Sequence, residues 1–453
     1  MNLSEISTLL NRPCEREITL TGVCIDSRHV KPGNLFIAIC GERFDGHDFI
    51  KEAVAKGAAA IVCSRPVTDD VAVVQLQVSD TLQALTAIAT HHRQTLSCQV
   101  IALTGSNGKT TVKEMIAAML PKPAHATPGN LNNHIGVPLS VLQLQAAHRY
   151  AVFELGANHP GEIAQTVAIV KPRVTLINNI APAHIDGFGS IDGVAHAKGE
   201  IHQGLAADGT AIINDDDVYA DFWAPLLTDK KTLRFSKVKP CAIHARELTF
   251  NSQGCAEFIL VTPAGESIIK LQVPGAHNVS NALAAASCAH ALGIALSDIG
   301  AALCQFSGVA GRMTFLVGKN KSIVIDDTYN ANLRSVLTAL DVLATHQGAR
   351  IFVFGDMGEL GSWTKQHHQE VGIAAREHGI QTVMTCGVYS ELTAQAFGPA
   401  GKHYTGHAEL IEDLLPQLDA DTMVLIKGSR AAAMEKIVHQ LTDMRHPLNK
   451  EYN

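Results

Sequence analysis

The stretch from Leu103 to Thr111 carries the residues whose types and spacing most directly suggest chemistry. It reads Leu-Thr-Gly-Ser-Asn-Gly-Lys-Thr-Thr, between an apolar strand-like run and a helical pattern. In such a loop the backbone N–H groups close on phosphate oxygens, the lysine reaches the β- and γ-phosphates, and the first threonine hydroxyl binds Mg²⁺. Leu103 stands where the longer phosphate-loop pattern has a glycine, so this is the shortened form G-x-x-G-K-T. We predict a triphosphate-binding site made by Gly105, Ser106, Asn107, Gly108, Lys109, Thr110 and Thr111. The alternative is an ordinary strand–turn–helix with a solvated lysine.

A triphosphate site also needs a metal ligand and charge compensation, and three residues are candidates. Glu154 ends an apolar strand, at the edge where open α/β sheets bind ligands, so it could bind Mg²⁺. His184 lies in a polar loop after another strand, and Lys198 lies on a predicted helix. Each residue also has an ordinary interpretation: a solvent-facing carboxylate, a packed or surface histidine, and a solvated lysine. The three adjacent acids at 215–217 are typical of an exposed turn, and we do not predict them as ligands.

Strand and helix patterns that must position these residues divide the chain into three segments: 1–96, 97–311 and 312–453. Their alternation predicts parallel sheets with helices on both faces. The predicted fold class is α/β with a small N-terminal domain, a central P-loop-type ATP-binding domain with a mostly parallel sheet, and a doubly wound, Rossmann-like C-terminal domain. Strands are predicted at 34–39, 60–62 and 71–74, at 99–103, 150–154, 174–178 and 210–213, and at 322–325, 350–354, 382–385 and 422–426; helices are predicted at 48–56, 81–93 and 112–120.

The composition narrows the class of protein. The 453 residues carry 36 Lys and Arg against 43 Asp and Glu, a formal net charge of −7. This balance provides no general attraction for nucleic acid or for an anionic membrane. The N-terminus has no basic segment followed by an apolar run, and no apolar stretch approaches the ~20 residues of a membrane span. Ten cysteines without a Cys-x-x-Cys pair indicate reduced thiols, and we expect a cytoplasmic protein.

Seven short stretches spread along the chain form one recognisable pattern: Thr104–Thr111, Glu154–Ala157, His184, Ala197–Glu200, His277–Asn281, Gly311–Met313 and Asp326–Asn332. This pattern resembles the Mur ligases, the ATP-dependent amide-bond-forming enzymes of peptidoglycan precursor synthesis. The resemblance covers essentially the whole chain, and the shortened phosphate loop is the family's own form.

The resemblance implies roles that the local patterns leave open. It implies that Thr110, Glu154 and His184 bind Mg²⁺, of which two ions are expected. It implies that Lys198 is carbamylated by CO₂ and then helps to bind the second ion; only a neutral amine can attack CO₂, so this requires a lysine that is sometimes unprotonated. The residues implied to take part in catalysis are Lys109, His184, Lys198 and Arg312, and those implied to bind ATP beyond the phosphate loop are Asn278, Asn281, Arg312 and Asp327.

Within the family, the chain is most similar to the branch that adds a dipeptide. Four stretches carry this similarity: Gly41–Phe49, Asp327–Asn332, Gly355–Gly361 and Lys427–Arg430. The branch that adds the third peptide residue typically has an Asp-Asn-Pro-Arg motif, which is absent from this sequence. Leu333 departs from the proline that many members of the dipeptide-adding branch have after the asparagine. The similarity implies an ATP-dependent acid–D-amino-acid ligase that joins D-alanyl-D-alanine to UDP-N-acetylmuramoyl-tripeptide through an acyl phosphate.

Each domain is then expected to bind one small-molecule substrate. The first domain would bind the uridine nucleotide, the central domain ATP and the last domain the incoming dipeptide. The resemblance also implies that the polar loop at 127–134 lies near the muramoyl-peptide. We expect a monomer whose domains close around these substrates. The alternatives are another Mur-type or folylpolyglutamate-type ligase, or a P-loop protein that binds ATP without ligating anything. The predicted substrate-binding residues are Ser27, Arg28, Asp45, His47, Thr127, Asn130, Asn132, Asn133, Tyr329, Asn330, Asn332, Lys427, Ser429 and Arg430.

Overall fold

The computed structural model describes residues 1–12, 14, 16–41, 44–66, 73–182, 185–251 and 254–447. These residues form three sheets, each contained within one of the three predicted segments. The predicted three-domain α/β fold class is confirmed, with helices against both faces of the two larger sheets.

The first domain has a parallel four-stranded sheet in the order β1-β2-β3-β4. Its second and third strands are completely buried, which explains their continuous apolar sequence. Helix α3 begins after Asp80, whose carboxylate accepts from the N–H groups of Leu82 and Gln83. The elements are β1 Gly22–Cys24, β2 Asn34–Ile37, β3 Ala60–Cys63 and β4 Val74–Gln77, with α1 Leu3–Leu9, α2 Ile50–Ala55 and α3 Thr81–Gln94.

The central domain has a nine-stranded sheet in the order β13-β12-β11-β10-β9-β8-β5-β7-β6. Strand β5, which leads into the phosphate loop, lies between β8 and β7 and pairs with both in parallel. The strands are β5 Gln99–Thr104, β6 Ala124–Ala126, β7 Tyr150–Glu154, β8 Val174–Ile177, β9 Thr210–Asn214, β10 Lys231–Ser236, β11 Ile243–Phe250, β12 Cys255–Thr262 and β13 Gly265–Pro274; the helices are α4 Lys109–Met119, α5 Gly136–Val141, α6 Glu162–Val170, α7 Ile185–Phe188, α8 Ile191–Gly199, α9 Ala276–Ala291 and α10 Leu296–Gln305.

Several strands of the central sheet were not predicted, namely β6, β10, β11, β12 and β13. Strands β11, β12 and β13 pair antiparallel and extend the sheet beyond β10. Strand β13 alternates buried and exposed side chains, as Ile269 (buried) and Ile268 (64% exposed) show. With one face solvated, β11 and β13 lack the continuous apolar runs that indicated the buried parallel strands. Strand β12 does contain such a run, at 258–261, and was not predicted.

The third domain has a seven-stranded sheet in the order β18-β17-β16-β19-β15-β14-β20. Its central strands are parallel, whereas β14 pairs antiparallel with both β15 and β20. The strands are β14 Thr314–Gly318, β15 Ile323–Asp327, β16 Ala349–Gly355, β17 Thr382–Cys386, β18 Gly401–Tyr404, β19 Thr422–Lys427 and β20 Thr442–Pro447; the helices are α11 Leu333–Ala344, α12 Thr364–Glu377, α13 Glu391–Phe397, α14 His407–Leu414 and α15 Glu435–Leu441.

Candidate active site

A cavity of about 1130 Å³ lies between the central and third domains, at the carboxyl ends of β5, β7, β15 and β19. On the side of the central domain it is lined by residues 106–111 of the phosphate loop. On the side of the third domain it is lined by Arg312, Asp327, Tyr329, Asn330 and Asn332. None of the first-domain residues that the structure describes lines it. Ligand binding at the carboxyl edge of parallel strands is the general behaviour of open α/β sheets. The cavity contains Ser106, Asn107, Gly108, Lys109, Thr110, Thr111, Asn130, Asn132, Asn133, Glu154, Lys198, Asn278, Arg312, Asp327, Tyr329, Asn330, Asn332 and Lys427.

The backbone of the phosphate loop depends on glycine at position 108. Gly108 has a φ of +77°, and a Cβ atom there would lie 2.5 Å from Asn281 Oδ1 and 2.7 Å from Asn178 Nδ2. Both conditions exclude a side chain unless the loop moves. The loop then turns directly into α4, whose first residue is Lys109. Lys109 Nζ donates to the carbonyl of Gly105 over 2.8 Å, so the ammonium lies folded over the loop.

Two asparagines that follow β8 hold the phosphate loop through hydrogen bonds to Asn107. Asn179 accepts from the Asn107 N–H at 2.9 Å, and the side-chain amides of both Asn178 and Asn179 donate to the Asn107 carbonyl. Asn178 also donates to Asn281 Oδ1 at 3.1 Å, so Asn281 helps to hold the loop rather than lining the cavity. The sequence does contain a signal for this support, namely two amides immediately after a buried strand adjacent to β5, but we did not assign them to the site.

Glu154 is held next to the phosphate loop by three hydrogen bonds. Its Oε2 accepts from the Thr110 hydroxyl at 2.9 Å, its Oε1 accepts from Asn132 Nδ2 at 2.8 Å, and its N–H donates to Thr127 Oγ1 at 3.0 Å. Thr127 is 1% exposed and does not line the cavity, so it lies behind Glu154. Thr110 and Glu154 together place hydroxyl and carboxylate oxygens, the donors that Mg²⁺ prefers, at one point.

Lys198 is a buried lysine on α8 that nevertheless lines the cavity. Burial, reinforced by the positive charge of Lys109, holds the pKa of Lys198 well below its usual range. Burial also lowers the pKa of Lys109, although the nearby Glu154 carboxylate acts in the opposite direction. Among the residues that the structure describes, no ion pair involves Lys198. A lysine in this environment has a larger share of neutral amine than a solvated one.

His184 lies outside the described residues, so its predicted role stays a prediction. Within the described ranges, no group of three or more His, Cys, Asp or Glu residues is arranged to hold a metal ion. Next to the phosphate loop, the described residues offer the Thr110 hydroxyl and the Glu154 carboxylate, which are hydrogen-bonded to each other.

The third domain contributes Arg312, which is stacked on an aromatic ring. Its Nη2 donates to Thr110 Oγ1 over 3.0 Å, and its guanidinium lies 4.0 Å from the centre of the Tyr329 ring. Arg312 Nε is buried without a hydrogen-bond partner among the described residues. Because a buried guanidinium N–H without a partner is costly, this donor suits an anionic ligand in the cavity.

Lys427 and Asp327 form a buried ion pair at the ends of β19 and β15. Lys427 Nζ contacts the Asp327 carboxylate and donates to the Asn330 carbonyl at 3.0 Å. Asp327 also accepts from the N–H of Met313 at 3.2 Å. Lys427 is thus already paired within the third domain.

Two further residues of the third domain bind the central domain. Asn332, the N-cap of α11, donates from Nδ2 to Asn107 Oδ1 at 2.9 Å. Arg334, in the first turn of α11, donates from Nη1 to the Ile180 carbonyl at 3.2 Å and lines the cavity. Arg334 was missed in the sequence, where an arginine on a helix has no feature that separates it from a solvated one.

The far end of the cavity lies against the start of α9. Asn278 lines it, and its side chain donates to the Pro274 carbonyl at 2.8 Å. His277 beside it is neutral near pH 7, since burial lowers its pKa to about 4, and its Nδ1 has no partner among the described residues. A neutral imidazole and an amide are suited to a heterocyclic base rather than to a phosphate.

The predicted uridine-binding residues lie in the first domain, and each is already bonded there. Arg28 pairs with Asp26 at 2.7 Å, and this hydrogen-bonded cation lowers the pKa of the Asp26 carboxyl. Ser27 donates to Glu52 at 2.7 Å. The His47 ring lies 2.6 Å from Asp45 and accepts from the Ser64 N–H through Nε2 at 2.9 Å.

Two predicted dipeptide-binding residues do not line the cavity. Arg430 is 68% exposed and pairs with Glu435 at 3.1 Å. Ser429 donates its backbone N–H to the Asp356 carbonyl at 2.8 Å. The structure therefore brings Tyr329, Asn330 and Asn332 to the phosphate loop but leaves Ser429 and Arg430 beyond it.

Three successive parts of the chain match the domains of one enzyme family. Residues 19–93 match the Mur ligase family catalytic domain, residues 103–289 the Mur ligase middle domain, and residues 311–430 the Mur ligase glutamate ligase domain. The chain belongs to the Mur ligase family of ATP-dependent ligases. The resemblance that the motifs suggested is thus confirmed.

Two individual relatives of the chain share one enzyme name within the family. A UDP-N-acetylmuramoyl-tripeptide--D-alanyl-D-alanine ligase of Escherichia coli (strain K12) is 42% identical over 449 residues, 98% of each chain. The enzyme of the same name from Bacillus subtilis (strain 168) is 32% identical, again over 98% of each chain.

Solved structures agree with these relatives. A crystal structure of MurF from Acinetobacter baumannii has a TM-score of 0.88 and 36% identity, covering 96% of this chain and 97% of that one. A MurF ligase from Thermotoga maritima, solved in complex with ADP, has a TM-score of 0.78 and 27% identity over 92% of this chain and 96% of that one. No helix among the described residues is long and apolar enough to cross a membrane.

Proposed function

We propose that the chain joins D-alanyl-D-alanine to UDP-N-acetylmuramoyl-tripeptide with hydrolysis of ATP to ADP and phosphate, a step in the synthesis of peptidoglycan precursors. The observation that carries this proposal is the 42% identity over 98% of both chains with a ligase of that name. The cavity supports it, since one space is shared by a phosphate loop and by residues of a separate domain.

The reaction proceeds in two steps. An oxygen of the terminal peptide carboxylate attacks the γ-phosphorus of ATP, ADP leaves, and an acyl phosphate is formed. The free amine of the dipeptide then attacks the acyl carbon, loses a proton, and the tetrahedral intermediate expels phosphate as the amide forms. Neither step requires a serine or cysteine nucleophile. Lys109 and Arg312, which contact Gly105 and Thr110 of the phosphate loop, would offset the charge on the phosphoryl group during its transfer.

Mg²⁺ fits the residues at the phosphate loop. Glu154 and the Thr110 hydroxyl would hold the ion, and His184 is a further predicted ligand. Bound there, Mg²⁺ would supply charge neutralisation of the phosphates. The two-ion arrangement rests on the family resemblance and on Lys198 acting as a carbamate.

The surroundings of Lys198 support its proposed carbamylation. Burial and the charge of Lys109 raise the share of neutral amine, which attacks the carbon of CO₂ and releases one proton to give a carbamate. The modification would turn a destabilised cation into an anionic ligand at the same place. That exchange would relieve the repulsion between Lys198 and Lys109.

We assign the remaining substrates by domain. The uridine nucleotide would bind the first domain through Ser27, Arg28, Asp45 and His47, which requires Arg28 to exchange its Asp26 partner for a phosphate. The muramoyl-peptide would bind near Asn130, Asn132 and Asn133, which line the cavity. The dipeptide would bind at Tyr329, Asn330 and Asn332, with Ser429 and Arg430 reaching it only after a rearrangement. We expect a monomeric, cytoplasmic enzyme.

The test is release of ADP on mixing ATP, UDP-muramoyl-tripeptide and D-alanyl-D-alanine, with reactions that omit one substrate as controls. ADP release that needs all three, with a new amide product detected by mass spectrometry, supports the proposal. Release that ignores the dipeptide, or no release from the full mixture, contradicts it. A reaction in which a folate and glutamate take the place of UDP-muramoyl-tripeptide and D-alanyl-D-alanine tests the folylpolyglutamate alternative. Lys109→Ala tests the non-catalytic alternative, because a ligase loses turnover whereas a scaffold keeps its partner.

A further inference from the structure

Lys113 is a buried lysine close to the phosphate loop that the proposed reaction does not use. It lies on α4, one helical turn after Lys109, and its side chain is 1% exposed. Its Nζ donates to the Thr127 carbonyl over 2.8 Å and pairs with Glu114 Oε1 at 2.8 Å. Since burying an ammonium group is costly unless its hydrogen bonds are met, the contacts of Lys113 indicate what it holds in place.

Thr127 connects Lys113 to Glu154. Its carbonyl accepts from Lys113, while its hydroxyl accepts from the Glu154 N–H at 3.0 Å. Its own N–H donates to the Val152 carbonyl at 3.0 Å, which fixes it beside β7. The lysine of α4 is therefore two hydrogen bonds away from the backbone that carries the Glu154 carboxylate.

The loop 127–132 holds Glu154 from its other end as well. Asn132 Nδ2 donates to Glu154 Oε1 at 2.8 Å, and the Asn132 carbonyl accepts from the Gly156 N–H at 2.8 Å. One short loop thus contacts both the backbone and the carboxylate of Glu154, and Lys113 anchors the beginning of this loop to the helix of the phosphate loop.

We propose that Lys113 is a positioning residue that fixes loop 127–132 against α4 and so holds the Glu154 carboxylate where it serves the Mg²⁺–nucleotide. The inference rests on the proposed function in one respect, that Glu154 binds Mg²⁺. It assigns Lys113 no contact with substrate or metal. Groups that act through a metal ligand in this way change metal affinity by about 10–100-fold when removed.

The test compares nucleotide binding with and without the metal, using ADP and Mg²⁺ as probes in isothermal titration calorimetry of the full chain. Lys113→Met removes the ammonium but keeps an unbranched side chain, Lys113→Arg keeps a cation that donates, and Glu114→Gln is the matched control that alters only the half-exposed partner. We expect ADP alone to bind all variants within about twofold. The affinity gained on adding Mg²⁺ should fall about tenfold in Lys113→Met, and should recover in part in Lys113→Arg and fully in Glu114→Gln.

A second pair of variants covers the case in which Lys113→Met does not fold. Thr127→Val removes the hydroxyl that accepts from Glu154 but keeps the carbonyl, and Thr127→Ser keeps both. Thr127→Val should lose the Mg²⁺-dependent gain while Thr127→Ser retains it, and in the double variant with Lys113→Met the two losses should not add. A folded Lys113→Met with an unchanged Mg²⁺ dependence overturns the proposal, as does an equal loss of ADP binding with and without Mg²⁺. If Lys113→Met does not fold, a Thr127→Val variant with an unchanged Mg²⁺ dependence overturns it.

Failure of this inference and failure of the proposed function are distinguishable. Wild-type chain that gains ADP affinity with Mg²⁺ but does not ligate the three substrates contradicts the function alone. Wild-type chain that ligates them, with a Lys113→Met variant that binds Mg²⁺ and ADP normally, contradicts the positioning role alone.

Discussion

Arg312 donates a hydrogen bond from Nη2 to the Thr110 hydroxyl over 3.0 Å, so a cation at the start of the third domain touches the residue of the phosphate loop that we propose as a Mg²⁺ ligand. The central carbon of the same guanidinium lies over the Tyr329 ring, 4.0 Å from its centre, in a cation–π contact. The contact that we propose between Arg312 and the phosphates of ATP therefore requires the two domains to be together.

Arg312→Lys should lower kcat by about 10²-fold with little change in the free energy of unfolding. Lysine keeps the charge but loses both the planar fork and the stacking on Tyr329. Tyr329→Phe, which keeps the ring, serves as the comparison and should retain the stacking contribution. Steady-state kinetics with the three substrates measure the effect. A Lys variant with kcat within twofold of wild type would show that orientation of this cation does not matter.

Contacts of α11 with the central domain should control the productive closed arrangement. Asn332→Ser keeps a capping oxygen but cannot reach Asn107, and Arg334→Met removes the donor to the Ile180 carbonyl. We expect each to lower kcat/KM for the dipeptide about tenfold, with thermal unfolding unchanged for Asn332→Ser. Asn332→Ala, which also loses the cap, should unfold about 1 kcal/mol more easily. Equal losses of activity and stability in all three variants would assign these residues to folding alone.

Activity should depend on CO₂ through Lys198. Because burial holds its pKa well below the usual range, the amine is available to CO₂ at lower pH than for an ordinary lysine, and acidification should reverse the modification. Enzyme dialysed in CO₂-free buffer should lose turnover and regain it with bicarbonate. A carbamate carbon resonance should appear with ¹³C-bicarbonate and be missing in Lys198→Arg. Full activity in CO₂-free buffer, without such a resonance, would contradict the carbamate.

Stability should fall on acidification because two buried histidines and the half-buried His277 are neutral in the folded state. Burial lowers the pKa values of His125, His202 and His277 each to about 4, against 6.5 for an unfolded chain. Above pH 6.5 neither state is protonated at these rings; below it the unfolded state takes up protons first, so stability is lost between pH 6.5 and 4. Each ring contributes up to about 3 kcal/mol to that loss.

His202 offers the cleanest check of this dependence, because it lies away from the cavity. Its Nδ1 bonds to the Thr175 hydroxyl at 3.0 Å, and its Nε2 has no partner among the described residues. His202→Asn keeps a polar group near Nδ1 and should reduce the loss of stability between pH 6.5 and 4 measured by urea unfolding. His439→Asn, which replaces an exposed histidine, is the control. If the free energy of unfolding depends on pH equally in the His202 and His439 variants, the prediction is refuted.

The parallel strands and the phosphate loop could be predicted because their signals are local. Strand β7 was predicted at its observed bounds, 150–154, since a strand buried on both faces has a continuous apolar sequence. Strands β11 and β13 were missed because their partly exposed pattern is weaker, and Arg334 was missed because its acceptor lies 154 residues away.

Several roles depended on which residues meet in space. Thr127 was predicted to bind substrate, yet it is buried behind Glu154. Arg28 and Arg430 were predicted to bind anions, and both are paired with carboxylates of their own domains. Exposure and pairing are set by the folded chain, so residue type alone could not distinguish a free cation from a paired one.

The sequence by itself determined the family, the α/β fold class and the triphosphate loop, because each depends on residues that are adjacent or regularly spaced along the chain. The tertiary structure decided how the loop is held and what faces it: Asn332 reaches Asn107 across 225 positions, and Arg312 reaches Thr110 across 202. Contacts of that separation leave no local pattern. They arise only when two independently formed sheets bring their carboxyl edges to one cavity.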